Sequence, residues 1–338
     1  MMKLGLRGVA LLAAVGIAPV SAHAWGFKGH QIVGEIADQI IARDHPALQD
    51  RLKDMLPAGK GLSDVAVYPD CLLFACNVVQ PGFFDSFIKR NPESDKYHFT
   101  DVPIQRKRYA ANTAGTHRHD VVQILRYAVG RLRGLPPTDV PADFDENEAI
   151  WVMTHLVGDI HQPLHVGSRY YDDKCLNVVD PNVDGGAGLP DFGIGTKFSE
   201  THGGGWFKIP PNRQLHKIWD NEAVEGAMRL ANVHDGSIKK FAEAVLANPP
   251  TGWKTSGDVS TWSRRWADEI LPLAREAHER IKVTVPGVDQ QASHDKVECR
   301  WEATLQGNYD DWAAEKVREQ LAKAGFRLAE MLRVLLDD

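Results

Sequence analysis

Beyond its first two dozen residues the chain has no apolar run long enough to span a bilayer as a helix, which excludes a bundle of membrane-spanning helices. It also lacks net positive charge. The formal charge is −6, and Lys3 and Arg7 of the N-terminal segment are part of the positive side of that balance. A broad basic face for holding nucleic acid is therefore excluded, and chemistry on phosphates would need a local source of positive charge such as metal ions. Strand-like alternation is scarce, and no internal repeat or low-complexity run occurs. N-linked glycosylation finds no N-x-S/T acceptor. Cysteine is limited to Cys71, Cys76, Cys175 and Cys299, without the second close pair that a four-thiolate zinc site would have. An even count in an exported chain points to two disulfides. Three pairings are open; the one expected closes the small loop Cys71–Cys76 and joins Cys175 to Cys299.

Export is read from the N-terminus. Lys3 and Arg7 precede a short apolar run, Gly8 to Val20, and Ala22-His23-Ala24 places small residues where a signal peptidase needs them. The expectation is a signal peptide over 1–24 and a secreted or periplasmic domain over 25–338. Such a protein has no stable membrane association after cleavage and no evident obligate protein partner. An uncleaved membrane anchor is the rival, disfavoured by the short run.

The remaining sequence reads as helices. Ile32, Val33, Ile36, Ile40 and Ile41 recur at helical spacing, and so do the apolar residues of 118–132. A third stretch carries Ile150, Met153, Val157 and Ile160 and is stopped by Pro163. Residues 215–230, 262–281 and 312–336 complete the set. Glycine-rich 167–212 reads as a long irregular surface loop. The expected fold is a single all-α domain.

His155 and Asp159 are four residues apart inside a helical pattern and share a face. His216 and Asp220 repeat that spacing on another helix, and His165 follows Pro163 just past a helix end. A single pair of this kind is usually a surface ion pair. Two such pairs, with Asp159 on an otherwise apolar helix, suit a helix-bundle metal site, because a buried carboxylate is costly unless paired or metal-bound. Imidazole with carboxylate suits zinc. Cleavage after Ala24 would free the amine of Trp25, which with the Trp25 carbonyl oxygen can chelate a metal; His30 lies five residues on.

These residues stand in WGFKGHQIVGEIA from Trp25, YPD ending at Asp70, YHFTD from Tyr97, HLVGDIHQPLHVG from His155, LHKIWD from Leu215 and AGFRLAEML from Ala324. In that order the chain resembles the single-strand-preferring zinc nucleases of fungi, plants and bacteria, within the zinc-dependent phospholipase C/nuclease superfamily. The resemblance implies a helical fold of that type and three zinc ions per chain. It places one zinc on Asp70, His98, His155 and Asp159, one on Trp25, His30 and the shared Asp159, and one on His165, His216 and Asp220. It implies hydrolysis of single-stranded DNA or RNA to 5′-nucleotides, with 3′-nucleotidase activity in reach. Asp159 and Asp70 take catalytic roles as ligands around the reacting water. Phe99 is expected to stack on a nucleobase, and Asp101 to hydrogen-bond one and serve in catalysis.

Three departures stand out. Fungal relatives have a basic residue where this chain has Leu73, leaving Arg90 or Arg169 as substitutes. The GGN that follows QPLH in the family is answered only by the displaced Gly203-Gly204-Gly205-Trp206, and the intervening insertion holds Cys175. Two other functions compete. A phospholipase C acting on lipid headgroups would typically carry glutamate where Asp220 stands. A zinc-stabilised binding protein would have little use for so many ligands.

Overall fold

The computed structural model describes residues 25–73, 76–184, 198–289 and 298–337. The expected signal peptide lies outside them, as does the part of the glycine-rich stretch that holds Gly185, Gly186, Gly193 and Gly195. Twelve α-helices are described: α1 (Phe27–Asp44), α2 (Pro46–Met55), α3 (Leu62–Val65), α4 (Tyr68–Cys71), α5 (Asp85–Arg90), α6 (Val121–Leu132), α7 (Glu146–Asp159), α8 (Leu215–Lys217), α9 (Ala223–Leu230), α10 (Ile238–Ala247), α11 (Trp262–Glu279) and α12 (Tyr309–Leu336). The helical expectation holds.

Helix α7 is the axle. Asp145 caps its N-terminus by accepting from the Glu148 amide, and the Glu148 side chain answers at the Asp145 amide. From Ala149 to Asp159 every residue is buried, so the helix is enclosed on all sides. It packs on α1, α6 and α12. Helices α1 and α12 also pack on each other, and closely. A Cβ added at Gly325 of α12 would stand 2.5 Å from Ile36 Cβ, so only glycine fits there.

The expected helix over 215–230 is continuous but not uniform. Between α8 and α9 the turn Ile218–Glu222 is π-helical, and Asp220 sits in it. Such one-turn bulges re-aim a side chain and concentrate at functional sites.

Nine short strands are added to the helices: β1 (Val102–Pro103), β2 (Gly167–Ser168), β3 (Tyr170–Asp172), β4 (Val178–Val179), β5 (Phe198–Glu200), β6 (Phe207–Ile209), β7 (Arg213–Gln214), β8 (Ile281–Asp289) and β9 (Glu298–Leu305). They form a parallel pair β1-β2 and sheets of order β4-β3-β5 and β7-β6-β9-β8. Five of them lie within 167–212, so the described part of that stretch is anchored to the body. Phe207 of β6 pairs in register with Trp301 of β9, and both are fully buried. Both disulfides form as expected. Cys71–Cys76 closes a small loop, and Cys175–Cys299 ties the segment after β3 to β9.

Gly325→Val should lose about 1–3 kcal/mol of stability, because branched atoms cannot enter the α1–α12 contact without pushing the helices apart. Thermal denaturation checks this; an unchanged midpoint would mean that the two helices separate at no cost.

Candidate metal centre

Each candidate ligand is carried by an element that the packing holds rigid. His155 and Asp159 lie one turn apart on α7, His30 on α1, Asp70 on α4, and His165 in the 3-10 turn Pro163–His165. His216 comes from α8 and Asp220 from the π-turn. All of these, with His98 and Trp25, are at most 2% exposed. The glycine at 158 lets the elements meet: a Cβ there would stand 2.8 Å from the His30 ring.

Asp159 is at the middle. Its Oδ1 is 3.3 Å from His30 Nε2, while its Oδ2 is 3.2 Å from both His98 Nδ1 and His155 Nε2. Asp70 Oδ1 stands 3.7 Å from His155 Nε2 and 4.0 Å from His98 Nδ1. The rings of His30 and His155 stack at 3.7 Å. On the other side, His216 Nε2 is 3.0 Å from His165 Nε2 and 3.5 Å from Asp220 Oδ2.

Backbone carbonyls decide where the imidazole protons sit. His155 Nδ1 faces the Ala66 carbonyl at 2.6 Å, His165 Nδ1 the His98 carbonyl at 2.8 Å, and His216 Nδ1 the Gly203 carbonyl at 2.9 Å. A carbonyl only accepts, so each Nδ1 carries the proton and each Nε2 turns a lone pair inward. The Nε2 atoms of His165 and His216 thus face each other as two acceptors, a contact that a cation between them would relieve.

The carboxylates repeat the pattern. Both oxygens of Asp70 and of Asp159, and Oδ2 of Asp220, are buried without a hydrogen-bond partner. So are both ring nitrogens of His30. Gln162 Nε2 donates to the remaining Asp220 oxygen at 2.9 Å. Burial pushes the carboxyls of Asp70 and Asp159 up to about 7, and that of Asp220 well above its usual range. Burial also drives His30, His98 and His155 below the usual histidine value, His30 furthest. Neutral imidazoles and carboxylates that resist ionisation are what a dry donor cluster becomes without its counter-charge. A divalent metal would supply that charge and take the inward lone pairs, so the residues fit a metal centre.

Trp25 packs against the elements that carry these donors. Its indole donates to the Gly158 carbonyl at 2.8 Å, and the next amide, Gly26, donates to the Asp220 carbonyl at 2.9 Å. Asp101 is buried with Glu200 and His202 as its ligand-type neighbours, rather than with Asp70 and Asp159. Phe99 is half-buried in the backbone between His98 and Thr100. The suggested arginines are already engaged. Arg90 pairs with Glu148 at 2.6 Å, and Arg169 bonds the His278 carbonyl and Tyr171. Sequence reasoning missed Gln162, although it stands inside HQPLH, and it missed the orienting carbonyls of Ala66, His98 and Gly203. Any residue type provides a carbonyl, so nothing in the sequence marks those three.

Comparison with known proteins agrees with this geometry. The family model described as S1/P1 Nuclease matches residues 25–337. Endonuclease 4 of Arabidopsis thaliana is 24% identical over 91% of this chain and 88% of its own length. Endonuclease 2 of the same plant is 25% identical over 76% of this chain and 75% of its own length. Nuclease S1 of Aspergillus oryzae is 24% identical over 93% of this chain and 92% of its own length. With a family match that runs from the buried Trp25 through α12, the chain belongs to the S1/P1 nuclease family.

Proposed function

We propose that the chain is an exported zinc-dependent nuclease that hydrolyses single-stranded DNA or RNA to 5′-nucleotides and also acts as a 3′-nucleotidase. The observation that carries the reading is the buried set of unshared donors around Asp159, in a member of a nuclease family. Three zinc ions would be held by Asp70, His98, His155 and Asp159; by Trp25, His30 and Asp159; and by His165, His216 and Asp220. Bound there, zinc supplies Lewis-acid polarisation of the phosphate and acidifies water.

The protein's own part is to place charge and protons. The two Asp159 oxygens face different histidines, His30 on one side and His98 with His155 on the other, which suits a bridging carboxylate. Gln162 holds Asp220 in place. With Arg90 and Arg169 committed elsewhere, compensation of phosphate charge falls to the metal centre. Phe99 is assigned to base stacking and Asp101 to the base edge, which gives single strands the advantage because their bases can leave the stack.

Digestion of matched single- and double-stranded DNA and RNA tests the reading. Single strands should be cut faster, and Asp159→Asn should lower the rate about 100-fold or more while the fold persists. Retained activity in that variant would remove Asp159 from the reacting centre.

Processing should matter as well. In a precursor the nitrogen of Trp25 is an amide and offers no lone pair to zinc at neutral pH. A protein extended by one or two residues before Trp25 should therefore bind one zinc fewer and lose most of its activity. Equal metal content and equal rates in the extended and processed forms would exclude the terminal amine as a ligand.

Metal-stripped protein should show an inverted pH response. The folded carboxyls of Asp70 and Asp159 titrate at about 7, above their ordinary value, so the stability they contribute is lost as pH rises through 7. The histidines are depressed, so their contribution is lost only as pH falls below the ordinary histidine value, about 6.5. Between about pH 6.5 and 8 the carboxyls dominate. The stripped protein should melt at a lower temperature at pH 8 than at pH 6.5, and zinc should stabilise most at pH 8. A flat or opposite profile would contradict the buried-carboxylate account.

A further inference from the structure

A second histidine cluster stands outside the centre described above. Glu93 precedes the segment that carries His98, Phe99 and Asp101, and His117 and His119 follow it. Their ligand-type atoms all lie within 4.8 Å of one another. They border a surface cavity of about 340 Å³, which also touches Asn91, Tyr97 and Pro141.

His119 is prepared as a ligand. Its Nε2 faces the Pro141 carbonyl at 2.9 Å, which places the proton there and leaves a lone pair on Nδ1. That Nδ1 is buried and makes no hydrogen bond, in a residue only 7% exposed. It points at Glu93 Oε2, 3.4 Å away. Two donors on a tetrahedral zinc stand about 3.4 Å apart when each is about 2.1 Å from the metal.

The surroundings hold this arrangement. Tyr97 stacks on the His119 ring with its centroid 6.1 Å away, and its hydroxyl donates to Asn91. The His117 amide donates to Asp120, whose other oxygen caps α6. His117 turns Nε2 toward Glu93 at 3.9 Å, while its Nδ1 accepts from the His119 amide at 3.1 Å. Binding metal through Nε2 needs the proton on Nδ1, so that amide contact must open. Lys96, now 2.6 Å from Glu93 Oε2, would have to yield its place. His119 and Glu93 are therefore in position, and His117 joins them once its Nδ1 contact opens.

We propose that Glu93, His117 and His119 form a separate site for one divalent transition ion, zinc by its donor set, which clamps together the two ends of the segment carrying His98, Phe99 and Asp101. Two imidazoles and one carboxylate leave room for water, and the ion joins residues on both sides of that segment. Its part is mechanical: it holds the backbone that presents His98 to Asp159.

The test compares metal content of the processed wild-type enzyme, Glu93→Gln and His119→Ala after equilibration in one zinc-buffered solution. Cobalt-substituted samples are compared by visible absorption. His119→Ala should hold one equivalent fewer than wild type and lose the matching part of the tetrahedral cobalt spectrum. Glu93→Gln, a change at a partly exposed side chain, should bind the same equivalent at least about tenfold more weakly. Both should still hydrolyse a small chromogenic phosphodiester. Equal metal content and equal cobalt spectra in all three proteins would overturn the proposal. If His119→Ala fails to fold, Glu93→Gln decides by the same measurement. Wild type without turnover but with the one-equivalent difference would refute the nuclease reading and leave this site standing.

Discussion

The structure turns on the two oxygens of Asp159, which lie in a dry interior without a hydrogen bond. An ionised carboxylate in that position costs several kcal/mol even after local relaxation. Around it stand three imidazoles depressed toward the neutral form and a second carboxylate raised to about 7. Nothing in the side-chain set alone neutralises the cluster. A fold that keeps α7 enclosed from Ala149 to Asp159, and puts this group at its end, gathers donors that a cation from outside the chain would satisfy.

The surrounding architecture aims these donors. Carbonyls of Ala66, His98 and Gly203 each hold one imidazole proton, so ring orientation is set by backbone in three different parts of the chain. This links the site to the glycine run Gly203-Gly204-Gly205. Gly203 is left-handed, with φ of 53°, and its own amide donates to Ser168. A Cβ there would stand 1.9 Å from the Leu164 carbonyl. The glycine run therefore bears on the candidate metal centre: it lets a carbonyl reach His216. The short strands and the Cys175–Cys299 bond hold the flanking segments against the body.

Legibility in the sequence follows sequence distance. The pairs His155–Asp159 and His216–Asp220 could be read because helical spacing fixes their relative direction without knowledge of the fold. Asp70 and His98 could not; a lone aspartate or histidine carries no spacing signal, and only the resemblance pointed to them. The helices were legible from their periodicity. Strands β2 to β7 were not, because two or three residues cannot display alternation and their partners, such as Trp301, lie far along the chain. Hairpin β8–β9 hides for another reason. The alternation from Ile281 to Val285 runs straight into Pro286-Gly287, a signal that reads as a break. The π-turn at Asp220 is likewise invisible, since it changes the hydrogen-bond register and no residue type marks it.

Electrostatics explains why the chain can be acidic and still belong to a family of nucleases. A protein that binds nucleic acid through its surface gathers lysine and arginine on one face, and its affinity then falls steeply with salt. Here the net charge is −6, and Arg90 and Arg169 are neutralised or bonded within the fold. What the chain concentrates instead is buried carboxyls and imidazole lone pairs, out of reach of solvent ions. Metal bound there would make that spot positive. That positive potential would lie in surroundings of low dielectric, where each charge acts more strongly than on an open surface. Recognition and catalysis would draw on the same ions, which is why so few basic residues are needed nearby.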